Sequence, residues 1–330
     1  MSFALRLDGV VKFYGRRKAL DGLNLEVPAG SIFGLVGSNG AGKTTAMAGS
    51  VGLLRFSAGS VDLLGQGPFR PAAHAGRVSL LPQDSRLPLH ARVGDLLHYY
   101  GRLQRVPEPR LRTAIDEVLE WVHLADRRAS PVRTLSHGMA RRLTIAQAFL
   151  GDPELVLLDE PRSGRDPREA VRIRDSLRDR KGRQTIVISS HNLRELEALC
   201  DRVAFVENGK LLRTDAMERM VRRHHRLAYA VSGAEDLPLA DLKAALPNAT
   251  FDVENEGKRL AVVFDDAQVR VEDVNAAVLP VLLRAGVGVL EVRRGSDLES
   301  EYLALTAPPP VPIPDPQVER AAYGARSTQP

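Results

Sequence analysis

Cysteine is almost absent from this chain: Cys200 is the single one in 330 residues. It makes no internal disulfide and leaves no cysteine-based zinc motif to propose. It stands in an apolar-periodic stretch with Leu193, Leu196, Leu199 and Val203, which reads as core rather than as a nucleophile. Long hydrophobic runs are missing too. The longest uncharged run, Val27 to Gly42, has 16 residues and five glycines, too short and too flexible to span a bilayer. The opening MSFALRLDGVVKFYG carries Arg6, Asp8 and Lys12 inside its apolar stretch, unlike a signal peptide, so a cytosolic chain is expected. Charge of one sign is scarce: 46 Lys+Arg against 41 Asp+Glu leave +5. That mild excess is spread along the chain, so no nucleic-acid partner is expected. With 44% apolar and 26% charged residues, the composition excludes a disordered chain, a collagen and a coiled-coil rod. The length suits two domains.

Three zones follow. Over residues 1–222, apolar runs of strand length (Leu25 to Val27, Ile32 to Val36, Leu155 to Leu158, Ile186 to Ile188) alternate with helical patterns. Continuous apolar strands between helices predict a mainly parallel sheet buried on both faces, an α/β fold. A helical subdomain is expected over about 84–150, where Ala114, Val118, Trp121 and Val122, and then Leu143, Ala146, Gln147 and Leu150, recur at helical spacing. The cluster Arg219, Arg222, Arg223, His224, His225, Arg226 reads as a solvated linker or helix end. A small α+β domain is expected over 223–306. Leu227/Tyr229/Val231, Phe251/Val253 and Leu260/Val262/Phe264 alternate as half-buried strands do. Val271 to Ala285 reads as a helix that Pro280 would kink or start late, and Val287, Val289 and Val292 suggest one more strand. Ser296 and Glu299 make a capping box for a last helix carrying Leu298, Tyr302 and Leu305. Residues 307–330, with seven prolines among 24, are expected to be a disordered tail.

The chemistry begins at Gly37-Ser-Asn-Gly-Ala-Gly-Lys43-Thr44, which matches G-x-x-x-x-G-K-[ST] after the run Ile32 to Val36. Glycines let successive backbone N–H groups point inward at phosphate oxygens, and the next helix adds its N-terminal dipole. Lys43 would reach the β- and γ-phosphates and the Thr44 hydroxyl would bind Mg²⁺. The second element is Leu155-Val-Leu-Leu158-Asp159-Glu160. It places two carboxylates at the carboxyl end of a buried strand, where open α/β sheets put their ligands. Asp159 suits the Mg²⁺ shell, and Glu160 suits polarising a water for attack on the γ-phosphate.

Together these elements resemble the ATP-binding subunit of an ABC transporter over about residues 3–222. The resemblance implies a P-loop ABC ATPase domain in which residues 37–45 hold the nucleotide: Gly37, Ser38, Asn39, Gly40, Ala41, Gly42, Lys43, Thr44 and Thr45. Tyr14 matches the aromatic that stacks on adenine. Gln83, in Leu81-Pro82-Gln83, matches the glutamine that touches Mg²⁺ and couples to the membrane subunit. Leu135-Ser136-His137-Gly138-Met139 resembles the family signature, whose Ser136 and Gly138 would reach the γ-phosphate of a second copy in a head-to-tail dimer. Asp166, in Gly164-Arg165-Asp166-Pro167, matches the loop linking the two sites, and His191, in Ser189-Ser190-His191, the histidine on the γ-phosphate. Taken singly, Tyr14 and His191 read as core residues and Gln83 as surface; their common order decides for the family.

The chain departs from the family pattern at His137 and Met139, variants familiar in subunits resembling antibiotic and sodium exporters. It departs again at Arg162 and Arg165, two cations that would either stabilise phosphate charge or strain the dimer contact. A single cassette followed by a small α+β domain resembles the daunorubicin-resistance type of exporter subunit. That resemblance implies ATP and Mg²⁺ as cofactors, a separate integral-membrane permease as partner and the cytoplasmic face of the membrane as location. A soluble ABC ATPase of repair or translation, or an ATP-dependent scaffold, is the rival. The second domain's strands lack the paired aromatics that a four-stranded RNA-binding sheet uses for stacking.

Overall fold

The computed structural model describes residues 2–161, 167–191, 193–217, 226–232, 237–254, 257–264, 269–294 and 306. Two sheets carry the first part of the chain. The larger has six strands in the order β5-β6-β7-β3-β8-β9: β5 (Val78–Leu81), β6 (Leu155–Asp159), β7 (Thr185–Ser190), β3 (Ile32–Val36), β8 (Arg202–Glu207) and β9 (Lys210–Ala216). The first five pair in parallel and β9 closes the edge antiparallel to β8. Every residue of β3, β6 and β7 is buried. Phe33 and Leu35, with Leu155 and Leu157, face one core, and Ile32 and Val36, with Val156 and Leu158, face the other. Burial on both faces is what lets these strands be apolar throughout.

The smaller sheet is antiparallel, in the order β2-β1-β4, from β1 (Phe3–Tyr14), β2 (Arg17–Pro28) and β4 (Ala58–Leu63). It corrects one expectation. Leu25 to Val27 belongs to this antiparallel sheet, paired with β1, and not to the parallel one. The reason is visible in the alternation: Leu23, Leu25 and Val27 are buried while Asn24 and Glu26 between them are exposed, the period-two pattern of a strand with one wet face.

Helix α1 (Lys43–Ser50) follows β3, and a short α2 (Pro71–His74) precedes β5. The stretch between β5 and β6 is helical: α3 (Val93–Leu103), α4 (Glu108–Trp121) and α5 (His137–Phe149). Their inner residues, among them Leu97, Ile115, Val118, Leu143 and Phe149, join the core on the Ile32 and Val36 side. Helix α6 (Pro167–Arg178) leads into β7, and α7 (Leu193–Leu199) leads out of it. Cys200 is buried just past α7, and burial pushes its thiol pKa up, which suits a core residue.

A further four-stranded antiparallel sheet has the order β11-β12-β10-β13, from β10 (Arg226–Ser232), β11 (Thr250–Glu254), β12 (Arg259–Val263) and β13 (Gly288–Arg294). With α8 (Leu239–Ala245) after β10 and α9 (Val271–Arg284) after β12, it is a split β-α-β-β-α-β unit. Leu227, Tyr229, Leu260 and Val262 meet Val274, Val278 and Leu282 in its core. The Tyr229 hydroxyl donates to Asn275 Oδ1 at 2.7 Å, so the buried phenol keeps its partner. Pro280 lies inside α9 on the exposed side, where the carbonyl its ring leaves unpaired meets water. The expected helix at 296–306, the linker cluster and the 307–330 tail fall outside the described residues, Arg226 and Thr306 apart. Among the described residues no helix is long and apolar enough to cross a membrane.

Candidate functional site

The carboxyl ends of β3, β6, β7 and β8 converge, and the site grows from them. The backbone turns sharply after Val36 because only glycine fits there. A Cβ on Gly37 would lie 2.2 Å from the Val206 carbonyl oxygen of β8. Gly42, just before α1, has φ +111°, and a Cβ on it would lie 2.8 Å from the Ala19 carbonyl oxygen. The loop is braced from outside as well. Ser38 donates from N and Oγ to the two carboxylate oxygens of Glu207 at 3.3 and 2.7 Å, and Gly209 N–H donates to Ala41 O at 2.9 Å. Thr44 is exposed and Thr45 half-buried on the first turn of α1; Asn39 and Gly40 are exposed on the loop itself.

Lys43 folds back into this cradle. Its Nζ donates to the Gly37 and Ser38 carbonyls at 2.8 and 3.1 Å and lies 3.9 Å from Glu160 Oε1, with both side chains only 5% exposed. Burial pushes the Lys43 pKa down, while Glu160, Asp159 and Glu207 pull it back up. A cation held by two carbonyls in a buried cradle is primed to exchange those weak partners for phosphate oxygens.

The two carboxylates stand where the strand ends. Asp159 is the last residue of β6, beside Ser189 of β7. The Ser189 hydroxyl donates to Asp159 Oδ1 at 2.5 Å and accepts from Glu160 N–H at 2.9 Å. Glu160 has φ +43°, a left-handed conformation costly for a residue with a Cβ. Its Oε2 is 3.3 Å from His191 Nδ1. The structure thus brings Lys43, Glu160 and His191 together.

Tyr14 and Gln83 lie at the margins. Tyr14 is the last residue of β1, 51% exposed, with Lys12 Nζ 5.2 Å from its ring centroid. Arg17, its partner across the hairpin, places Nη2 3.0 Å from where a Cβ on Gly40 would stand, so this hairpin end borders the loop. Gln83 is exposed two residues past β5, whose Leu81 pairs with Leu158 of β6. Ser136 caps α5, its Oγ accepting from Met139 N–H at 3.2 Å, and Gly138 lies in the first turn. Among the described residues no hydrogen bond or ion pair joins either to the 37–45 loop. Asp166, with Arg162 and Arg165, lies outside the described residues.

Three participants escape the motif reading: Ser189, which ties the Asp159 carboxylate to the Glu160 main-chain N–H, Glu207, which braces Ser38, and Arg141, whose Nη2 donates to the Glu160 carbonyl at 2.9 Å. Ser189 alone leaves a signal, a hydroxyl in an apolar strand with no exposed surface.

A glycine cradle at a helix start, a buried lysine and paired carboxylates on a parallel sheet define a P-loop ATPase. A model of the ABC transporter family matches residues 20–163. Over 92% of its length the chain is 34% identical to a daunorubicin resistance ATP-binding protein of Streptomyces coeruleorubidus, covering 96% of it, and 31% identical to a Nod factor export ATP-binding protein of Ralstonia nicotianae, covering 93%. Among solved structures, an ATP-binding subunit of an ABC transporter aligns with 67% of the chain and 92% of its own at TM-score 0.59 and 24% identity. A nucleotide-free ATP-binding cassette does so with 66% and 92% at TM-score 0.58 and 24% identity. The chain belongs to the ABC transporter family as its ATP-binding, ATP-hydrolysing subunit, which powers a separate membrane permease.

Proposed function

We propose that the chain drives export, with ATP and Mg²⁺ clamped between two copies bound to the cytoplasmic face of their permease. The observation that carries the chemistry is Glu160, buried at the end of β6 between Lys43 and His191. Glu160 orients a water and accepts its proton as the water oxygen bonds to the γ-phosphorus; the β–γ bridging oxygen leaves with ADP. Lys43 neutralises charge on the β- and γ-phosphates, and His191 holds the γ-phosphate. Residues 37–45 cradle the phosphates, and Tyr14 stacks on the adenine. Ser136 and Gly138 reach the partner's γ-phosphate, with Asp166 linking the two sites.

Thr44, Gln83 and Asp159 offer the hard oxygen donors that Mg²⁺ takes; β5, just before Gln83, pairs with the Asp159 strand β6, against which α1 also packs. No cluster of three His, Cys, Asp or Glu among the described residues holds a metal by itself, which suits a cation shared with substrate phosphates. When bound, Mg²⁺ screens the phosphate charge against the incoming water.

Export as the direction is supported by the relatives, which are named for Nod factor export and for daunorubicin resistance. The domain division drawn at residues 222 and 306 is part of the same proposal: residues 1–222 hydrolyse and 223–306 regulate or brace the dimer. Tagged chain captured from detergent-solubilised membranes is expected to bring one polytopic subunit in equal amount. Soluble partners alone, reproducibly, would contradict the reading and favour a non-transport ATPase.

A further inference from the structure

Arg141 stands in the second turn of α5, next to Arg142 and apart from it in what it does. Arg142 gives Nη1 to the Val122 and His123 carbonyls at 2.6 and 3.1 Å and so ties α5 to the end of α4. Arg141 sends Nη2 to the carbonyl of Glu160, 2.9 Å away. Among the described residues its Nε is shut off from solvent without a hydrogen-bond partner, and burial holds its pKa below the usual guanidinium range. A half-buried cation with one carbonyl partner and one orphaned buried donor is costly. An apolar side chain of similar length would serve the fold better, so the guanidinium is doing something other than stabilising α5.

What it touches supplies the reason. Glu160 is held at φ +43°, outside the range a glutamate adopts by itself, and such a conformation persists only where neighbours over-determine it. Two side chains from different elements do so. Ser189 of β7 receives the Glu160 N–H, and Arg141 of α5 holds the Glu160 carbonyl. With the main chain pinned on both sides, the carboxylate is aimed between Lys43 and His191.

We propose that Arg141 is a positioning residue for ATP hydrolysis, fixing the Glu160 main chain so that its carboxylate keeps the angle at which it meets the attacking water. The proposal rests on the reading of Glu160 as the group that takes the water's proton. Without the guanidinium the carbonyl turns, φ relaxes towards ordinary values, and the carboxylate leaves its place, a displacement of the order that costs about 10²-fold in rate. Nucleotide binding, which uses the 37–45 loop, is untouched.

The test uses the full-length chain with ATP and Mg²⁺ in four forms beside wild type: Arg141→Met, Arg141→Lys, Glu160→Gln, and Arg141→Met with Glu160→Gln. Arg141→Met is expected to lower kcat by about 10–100-fold with KM and ATP affinity little changed, and Arg141→Lys to recover part of the loss, since one charged donor remains. In the Glu160→Gln background, Arg141→Met should cost nothing further, because its effect passes through Glu160. A wild-type kcat in Arg141→Met alongside an inactive Glu160→Gln overturns the proposal alone. So do losses that multiply in the double variant, or affinity falling in step with kcat. Full hydrolysis in Glu160→Gln overturns the reading of Glu160 itself and the proposal with it. Should Arg141→Met fail to fold, Arg141→Lys decides: a severalfold lower kcat at constant KM supports the proposal, and wild-type kinetics overturn it.

Discussion

Lys43 carries a charge into a place that disfavours it, and the surroundings are arranged to tolerate that until phosphate arrives. Two carbonyls and a carboxylate at 3.9 Å offset part of the desolvation, and the lowered pKa records the remainder. ATP therefore binds the folded state alone and should raise the melting temperature, by the equivalent of about 2.7 kcal/mol at a hundredfold excess over Kd. In Lys43→Ala, thermal melts with and without ATP and Mg²⁺ should coincide; a retained shift would mean that the loop binds without its lysine. Residues of this kind are legible in sequence because their requirements are local. A tight turn, a following helix and a lysine at a fixed offset are all written within nine positions. Ser189, Glu207 and Arg141 are not legible in this way. Each acts on a partner 19 to 169 residues distant along the chain, and only the pairing of strands and the seat of α5 bring them close.

Elements hold the cradle as much as its own residues do. The turn between β8 and β9 presses on the β1–β2 hairpin: Asp21 N–H donates to Gly209 O, and Gly209 N–H donates to Ala41 O in the phosphate loop, both at 2.9 Å. Gly209 has φ +74°, and a Cβ on it would lie 2.6 Å from both the Ala19 carbonyl oxygen and the Leu20 Cα. Gly209→Ala should therefore cost about 2–4 kcal/mol from backbone strain and overpacking. It should also weaken ATP binding from a position the nucleotide never touches. Denaturant midpoints and a nucleotide titration read the two effects, and unchanged affinity would show that the tie does not shape the loop. The buried strands β3, β6 and β7 were readable as apolar runs. Leu25 to Val27 resembles them because three residues are too few to display their alternation; Leu23 and Asn24 on the near side complete it. Helix α8, of seven residues, is too short to show a period.

At the scale of the whole molecule, the chain carries an ATP-binding cassette and, beyond it, a four-stranded sheet that shares no strand with the other two. The strands of that sheet are legible because their large apolar residues, Leu227 and Tyr229 or Leu260 and Val262, recur at every second position, and its β-α-β-β-α-β order emerges only from the pairing of β10 between β12 and β13. Ser136 and Gly138 have no bond to the 37–45 loop among the described residues, although Lys43, Glu160 and His191 already sit together. A second copy would supply the missing half, with binding energy realised only in the closed pair. The most direct measurement is the mass of the full-length Glu160→Gln protein in solution, by light scattering, with and without ATP and Mg²⁺. With hydrolysis blocked, the mass should double on adding ATP and fall back when the nucleotide is removed. A mass that stays at one chain, while ATP is demonstrably bound, would contradict the account.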